Sequence, residues 1–189
     1  MKKILLFASG TGSNVENIIQ YFKNNKDIVI VGVYTNNPNA KVLEKAQKHH
    51  VPTVIFNREE LNGGLVLSKI NEIKPDLIVL AGFLWKMPEQ IVVSFPNKII
   101  NIHPALLPKY GGKGMYGMKV HQTVLDNQEK ETGITIHYVN EHYDEGEFIF
   151  QQKTNIEDCA SADEIANKIH ELEHHHFPEV IEKLITYNS

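Results

Sequence analysis

The chain has one cysteine, Cys159, among 189 residues. No disulfide can close within it, and a reducing compartment, the cytoplasm, is expected. Long apolar runs are also missing. The longest, residues 77–85, has nine members, about half of the ~20 that a membrane-spanning helix needs. Lys2-Lys3 followed by Ile4-Leu5-Leu6-Phe7-Ala8 imitates a secretory signal, but the apolar stretch ends before the roughly 7–15 residues such a signal requires. Positive charge is not in excess: 19 basic against 23 acidic residues give a net charge of −4, which argues against a general surface for nucleic acid or an anionic membrane. No internal repeat, low-complexity tract or linker is present. What remains is 42% hydrophobic and 22% charged, the proportions of a globular chain rather than a disordered or coiled-coil one. The length suits a single domain, 1–189, able to bury about 70% of its extended surface.

Unbroken apolar runs at 3–8, 28–34, 53–56, 77–81 and 99–102 predict strands covered on both faces. Helical patterns lie between them, at 13–22, 40–49, 60–73 and 88–93, the first opened by a possible capping box, Ser13-Asn14-Val15-Glu16. The alternation predicts an α/β fold with a doubly wound, mostly parallel sheet and helices on both faces. After His103 the rhythm changes. Residues 104–119 hold two prolines and four glycines, which predicts a long loop. Runs at 134–139 and 148–153 predict two more strands across a polar turn, a late antiparallel addition. Ser161-Ala162-Asp163-Glu164 predicts the cap of a last helix carrying Ile165, Ile169, Leu172 and Val180 on one side, with Pro178 bending or interrupting it.

Three segments could carry chemistry. Ser9-Gly10-Thr11-Gly12-Ser13-Asn14 joins the first strand to the first helix, where a glycine turn and free helix N–H groups suit an anion such as phosphate. It is not a dinucleotide fingerprint, because Val15 replaces the third glycine, and it lacks the Gly-Lys-Ser/Thr ending of a nucleotide-binding phosphate loop. The plain alternative is a βα turn with no ligand. The second segment is Asn101-Ile102-His103-Pro104-Ala105-Leu106-Leu107-Pro108. On a strand Asn101 and His103 point to one side, at the carboxyl end where open α/β sheets bind ligands. An amide beside an imidazole can polarise a carbonyl and handle a proton; the alternative is a loop cap. The third is Asp144, in His142-Tyr143-Asp144-Glu145-Gly146. It either orients and charges a histidine or belongs to an ordinary solvated turn.

Three other features carry less. His174-His175-His176 are consecutive, so their side chains diverge on a helix and lack the i, i+4 spacing of ligands; they read as surface histidines. Ser13 lacks the glycines of a nucleophile elbow. Cys159 follows Asp158, an acidic neighbour that hinders thiolate formation.

In order along the chain, Gly10-Thr11-Gly12-Ser13-Asn14, Leu80-Ala81-Gly82-Phe83, the 101–108 segment and Asp144 resemble the folate-dependent formyltransferases over nearly the whole length. The early glycine loop resembles most the phosphoribosylglycinamide formyltransferase family. The resemblance implies a formyltransferase-like Rossmann variant, with a ribonucleotide-binding half at 1–100 and a catalytic and folate-binding half at 101–189. It implies a one-carbon transferase of purine biosynthesis that moves the formyl group of 10-formyltetrahydrofolate to the amino group of glycinamide ribonucleotide. The amine attacks directly, with no covalent enzyme intermediate. By resemblance Asn101, His103 and Asp144 are catalytic, His103 acting in its protonated form. Gly12, Ser13, Asn14, His170 and Glu173 hold the ribonucleotide. Arg58, Leu84, Trp85, Lys86, Met87, Asn101, Asn140, Glu141, His142, Tyr143 and Asp144 hold the folate. The co-substrate is the folate itself, with no metal, nicotinamide or flavin, no nucleic-acid or membrane partner, and a monomer or homodimer as the assembly. Two departures from the family pattern stand out. Residues 110–119 form a longer, more glycine-rich loop, which leaves contacts by that loop and by His121 unassigned, and Trp85-Lys86 replaces the usual residues after Ala-Gly-Phe.

Overall fold

Continuous apolar sequence becomes strand wherever both faces of the sheet are covered. The structure, a computed structural model, describes residues 1–187. Strands β1 (Lys2–Phe7), β2 (Ile28–Thr35), β3 (Thr53–Ile55), β4 (Leu77–Leu80) and β5 (Ile99–His103) run parallel. β6 (Glu131–Tyr138) is antiparallel to β5, and β7 (Phe148–Asn155) is antiparallel to β6. The sheet order is β3-β2-β1-β4-β5-β6-β7. The chain winds outward from β1 to β3 and then restarts on the other side with β4, so β1 and β4 flank the switch point where such sheets open a ligand crevice beyond their carboxyl ends.

Alternate residues of β1 serve different cores. Ile4 and Leu6, with Ala8 just past the strand, pack with α1 (Ser13–Phe22), α2 (Val42–Lys48) and α7 (Ala162–Tyr187), beside Val124 of α6 (Met118–Asp126). Leu5 and Phe7 pack on the opposite face with α3 (Arg58–Asn62), α4 (Leu65–Ile73) and α5 (Glu89–Ser94). The sheet is therefore sandwiched, and its central strand β4, Leu77–Leu80, is apolar throughout for that reason. Among the described residues no helix is long and apolar enough to cross a membrane.

Local chemistry departs from the sequence expectation at four places. Helix α1 is not opened by a Ser13 capping box: Gly12 is its cap, left-handed at φ +69°, and no side chain caps it. A Cβ on Gly12 would collide with Val42, so glycine there lets α2 approach the turn as well as permitting the conformation. A capping box does form at Asn57 and Glu60. The expected helix at 60–73 is two helices, α3 and α4, separated by Gly63-Gly64 with Gly64 at φ +90°. Helix α6 follows the glycine-rich loop, in the stretch between residues 104 and 134 for which the sequence pattern predicts no helix.

Pro178 does not interrupt α7, which runs unbroken for 26 residues. Proline has no N–H to give the carbonyl four residues back, and that carbonyl, on His174, instead accepts a hydrogen bond from Asn17 Nδ2 at 2.7 Å. The deleted helix bond is replaced by a tie between α1 and α7.

Candidate active site

A cavity of about 560 Å³ opens at the switch point, within the size range of small-ligand sites. Its wall includes Gly10 to Asn14, Leu80 to Met87, Asn101 to Pro104, Gly112 to Gly117 and the α7 residues His170 and Glu173. Ser9 joins three strand ends beneath it: its Oγ donates to Asn36 Oδ1 at 2.6 Å and accepts from Leu84 N–H at 2.9 Å.

One end of the cavity is built on β5 and β6. Register pairs Asn101 with His137 and His103 with Thr135, which puts all four side chains on one face of the sheet. Thr135 anchors the following loop. Its Oγ1 donates to the Ala105 carbonyl at 2.7 Å and accepts from Leu107 N–H at 3.0 Å and Gln151 Nε2 at 2.9 Å. The loop then returns over His103, whose Nε2–H donates to the Tyr110 carbonyl at 2.8 Å. A carbonyl can only accept, so Nε2 carries the proton and Nδ1 of the neutral ring is bare. That Nδ1 stands 3.6 Å from Asp144 Oδ2.

Asp144 is shared between two imidazoles. Its Oδ1 lies 3.6 Å from His137 Nε2, and its Oδ2 accepts from Gly112 N–H at 2.8 Å. His137 donates through Nδ1 to the Tyr138 carbonyl at 2.8 Å, which leaves Nε2 to accept from Asn101 Nδ2 at 3.2 Å. Burial alone would raise the Asp144 carboxyl, but the His137 ring, the His103 ring and the Gly112 N–H together hold it below its ordinary value. His103 moves the other way from expectation. Its burial pushes the imidazole below its ordinary pKa, with His137 adding to the effect, and Asp144 and the Tyr110 bond do not reverse it. At this ring desolvation outweighs the neighbouring carboxylate.

The other end is built on the glycine turn and α7. Asn14 Nδ2 donates to Glu173 Oε2 at 2.9 Å across 159 residues of sequence. Glu173 is 6% exposed, and burial raises its carboxyl, offset only in part by Asn14 and His170. Asn14 Oδ1 is buried without a hydrogen-bond partner, an acceptor left for a ligand donor. His121 of α6 lies between the ends. It is buried, its Nδ1 is unpartnered, and burial, aided by His170 and His103, lowers its pKa to about 4.

The structure therefore brings Asn101, His103 and Asp144 together. It places Gly12, Ser13, Asn14, His170 and Glu173 in the same cavity wall, with Leu84, Trp85, Lys86, Met87, Asn140, His142 and Tyr143. It leaves two expected residues outside that wall, Glu141 and Arg58. The Arg58 guanidinium instead stacks 4.4 Å over the ring of Trp85, so it supports a lining residue from behind. His137 was missed, although Thr135 and His137 alternate with apolar Ile134 and Ile136 in the pattern of a strand with one polar face.

A family model described as formyl transferase matches residues 2–181. The phosphoribosylglycinamide formyltransferase of Bacillus subtilis is 34% identical over 195 residues, covering all of this chain and 97% of that protein. The chloroplastic phosphoribosylglycinamide formyltransferase of Arabidopsis thaliana is 36% identical over 95% of this chain, which spans 64% of that relative, just under two thirds of its length. The crystal structure of phosphoribosylglycinamide formyltransferase from Bacillus halodurans superposes with a TM-score of 0.89 at 30% identity, covering 100% of this chain and 97% of that one. That from Anaplasma phagocytophilum gives 0.88 at 31%, covering 98% and 87%. The family match runs over residues 2–181, nearly the whole chain, and the chain belongs to the formyl transferase family.

Proposed function

We propose that this chain transfers the formyl group of 10-formyltetrahydrofolate to the amino group of glycinamide ribonucleotide, giving tetrahydrofolate and formylglycinamide ribonucleotide. The observation that carries the reading is Asp144, set 3.6 Å from both His103 and His137, in a cavity that also contains the Gly12-Ser13-Asn14 turn. In the step itself a bond forms between the substrate nitrogen and the formyl carbon, the bond from that carbon to the folate nitrogen breaks, and the amine proton passes to the departing nitrogen.

The chain's own groups serve this balance. Charge develops on the formyl oxygen in the tetrahedral intermediate, and N–H donors of Asn101 and His103 stabilise it by roughly 2.7–4 kcal/mol each. Asn101 has two amide protons and gives one to His137; the second serves the oxygen. The His103 Nε2–H is held by the Tyr110 carbonyl in the unliganded chain, so the formyl oxygen exchanges with that carbonyl for the donor. As charge builds, an ionised Asp144 favours proton uptake at His103 Nδ1, which offsets the desolvation that keeps the resting ring neutral. Asn14, with Gly12 and Ser13, takes the phosphate end, and Glu173 and His170 flank it. Leu84 to Met87 and residues 140–144 take the folate, Arg58 acting through Trp85.

The reading carries 10-formyltetrahydrofolate as co-substrate and uses protein acid–base groups in place of metal, nicotinamide or flavin. It carries small molecules rather than nucleic acid or membrane as partners, a cytoplasmic setting, and a monomer or homodimer of one domain whose two halves share the cavity. The test is to mix the protein with 10-formyltetrahydrofolate and follow folate release with and without glycinamide ribonucleotide. Release is expected to depend on the ribonucleotide. Release at the same rate without it would make the protein a hydrolase of the same donor, and no release in either case would remove the assignment.

A further inference from the structure

The three consecutive histidines lie outside this chemistry: His175 and His176 are not in the cavity wall. Neighbours in sequence diverge by about 100° on a helix, so the run alone makes no ligand set. Glu179 changes this. It is four residues beyond His175 and three beyond His176, the two spacings at which helical side chains meet. One ligand atom from each of the three residues lies within 4.8 Å of the other two. We propose that His175, His176 and Glu179 on α7 form a surface site for a divalent transition cation, of the class of Zn²⁺ or Ni²⁺.

The donor set selects that class. Two imidazoles and one carboxylate suit Zn²⁺, Ni²⁺ and Cu²⁺, whereas Mg²⁺ and Ca²⁺ prefer oxygen alone. Ligands 2.0–2.1 Å from a tetrahedral ion sit roughly 3.4 Å apart, so the set needs only a small closing movement, for which His175 is exposed and His176 and Glu179 are half-buried. One ligand is already positioned. The His176 ring packs 5.0 Å from Phe150 of β7 and 4.5 Å from the His175 ring. Lys183 is the opposing charge at the site. The neighbouring Glu182 is committed to the Tyr21 hydroxyl at 2.7 Å. Three protein ligands leave at least one position for water, the arrangement of an open site rather than a closed structural one.

The test is calorimetric titration of the tag-free full chain with Zn²⁺ and, separately, Mg²⁺ at pH 7.5. One Zn²⁺ per chain is expected and no Mg²⁺. His175→Ala and Glu179→Gln, each checked for folding by circular dichroism, are expected to weaken Zn²⁺ at least tenfold, while His174→Gln leaves it unchanged. Absence of a Zn²⁺ isotherm in the unmodified chain overturns the proposal. So does loss of binding in His174→Gln alone, which would move the ion to the stacked pair His170 and His174, whose rings lie 6.0 Å apart.

Discussion

The two ends of the cavity each hold a carboxyl, Glu173 buried and Asp144 partly so, and their surroundings push the two in opposite directions. Glu173, reached by one amide proton from Asn14 and by a single histidine, His170, at 3.9 Å, is raised by burial. Asp144 is also penalised by burial, yet two imidazoles and a backbone N–H hold it below its ordinary value. The difference lies in the number of polar groups gathered around each carboxyl, and it divides the labour. A carboxylate that stays ionised can draw a proton onto its histidine, whereas one that protonates readily is suited to hydrogen-bond a neutral sugar or amide.

Breaking the reaction end has the largest expected effect. His103→Ala should lower the rate of formyl transfer by roughly 10²–10⁴-fold, and Asn101→Ala by about 10²–10³-fold, read in a folate-release assay with both substrates saturating. Breaking the other end should change affinity instead. Asn14→Ala is expected to raise the KM for the ribonucleotide at least tenfold with kcat within a few-fold of the unmodified chain; a fall in kcat with unchanged KM would erase the distinction between the ends.

The pH dependence of folding sharpens the comparison through His121, which senses both ends. Its folded pKa, about 4, lies below the ordinary 6.5, so the unfolded chain binds the proton first. The stability it confers is complete above pH 6.5 and is lost as pH falls toward 4. Between pH 7.5 and pH 5, His121→Asn should lose about 2 kcal/mol less than the unmodified chain in urea unfolding; parallel losses would contradict the burial of this ring.

The smallest expected effect concerns Glu173. Its folded pKa is raised, so stability is fully present below the ordinary carboxylate range and declines as pH rises through the folded value. Glu173→Gln still accepts from Asn14 and cannot ionise, and its urea midpoint should gain on that of the unmodified chain as pH rises from 4 to 8. A gap that is flat with pH would mean that Glu173 titrates normally.

The division between the ends also tracks what could be read before folding. Strands β1, β4 and β5 announce themselves as runs dominated by valine, isoleucine, leucine and phenylalanine because both their faces are covered. The glycine turn follows from its place after the first of them. Elements governed by tertiary contacts were less visible. Helix α6 buries only Val120, His121 and Val124, too narrow an apolar stripe to stand out behind four glycines. Pro178 looked like a breaker because the Asn17 side chain that replaces its lost bond is 157 residues from the rescued carbonyl in sequence. His137 carried a signal, polar alternation on β6, but its meaning depends on the register that sets it opposite Asn101. The direction in which His103 shifts is hidden for a similar reason: sequence suggests a neighbouring acid but not how thoroughly the ring is removed from water.

The most direct measurement is a single-turnover experiment with Asp144→Asn under saturating 10-formyltetrahydrofolate and ribonucleotide, set beside ribonucleotide affinity in the same variant. Formyl transfer slowed by 100-fold or more with ribonucleotide affinity preserved is the predicted result. Transfer at the unmodified rate would contradict the assignment of chemistry to the β5–β6 end.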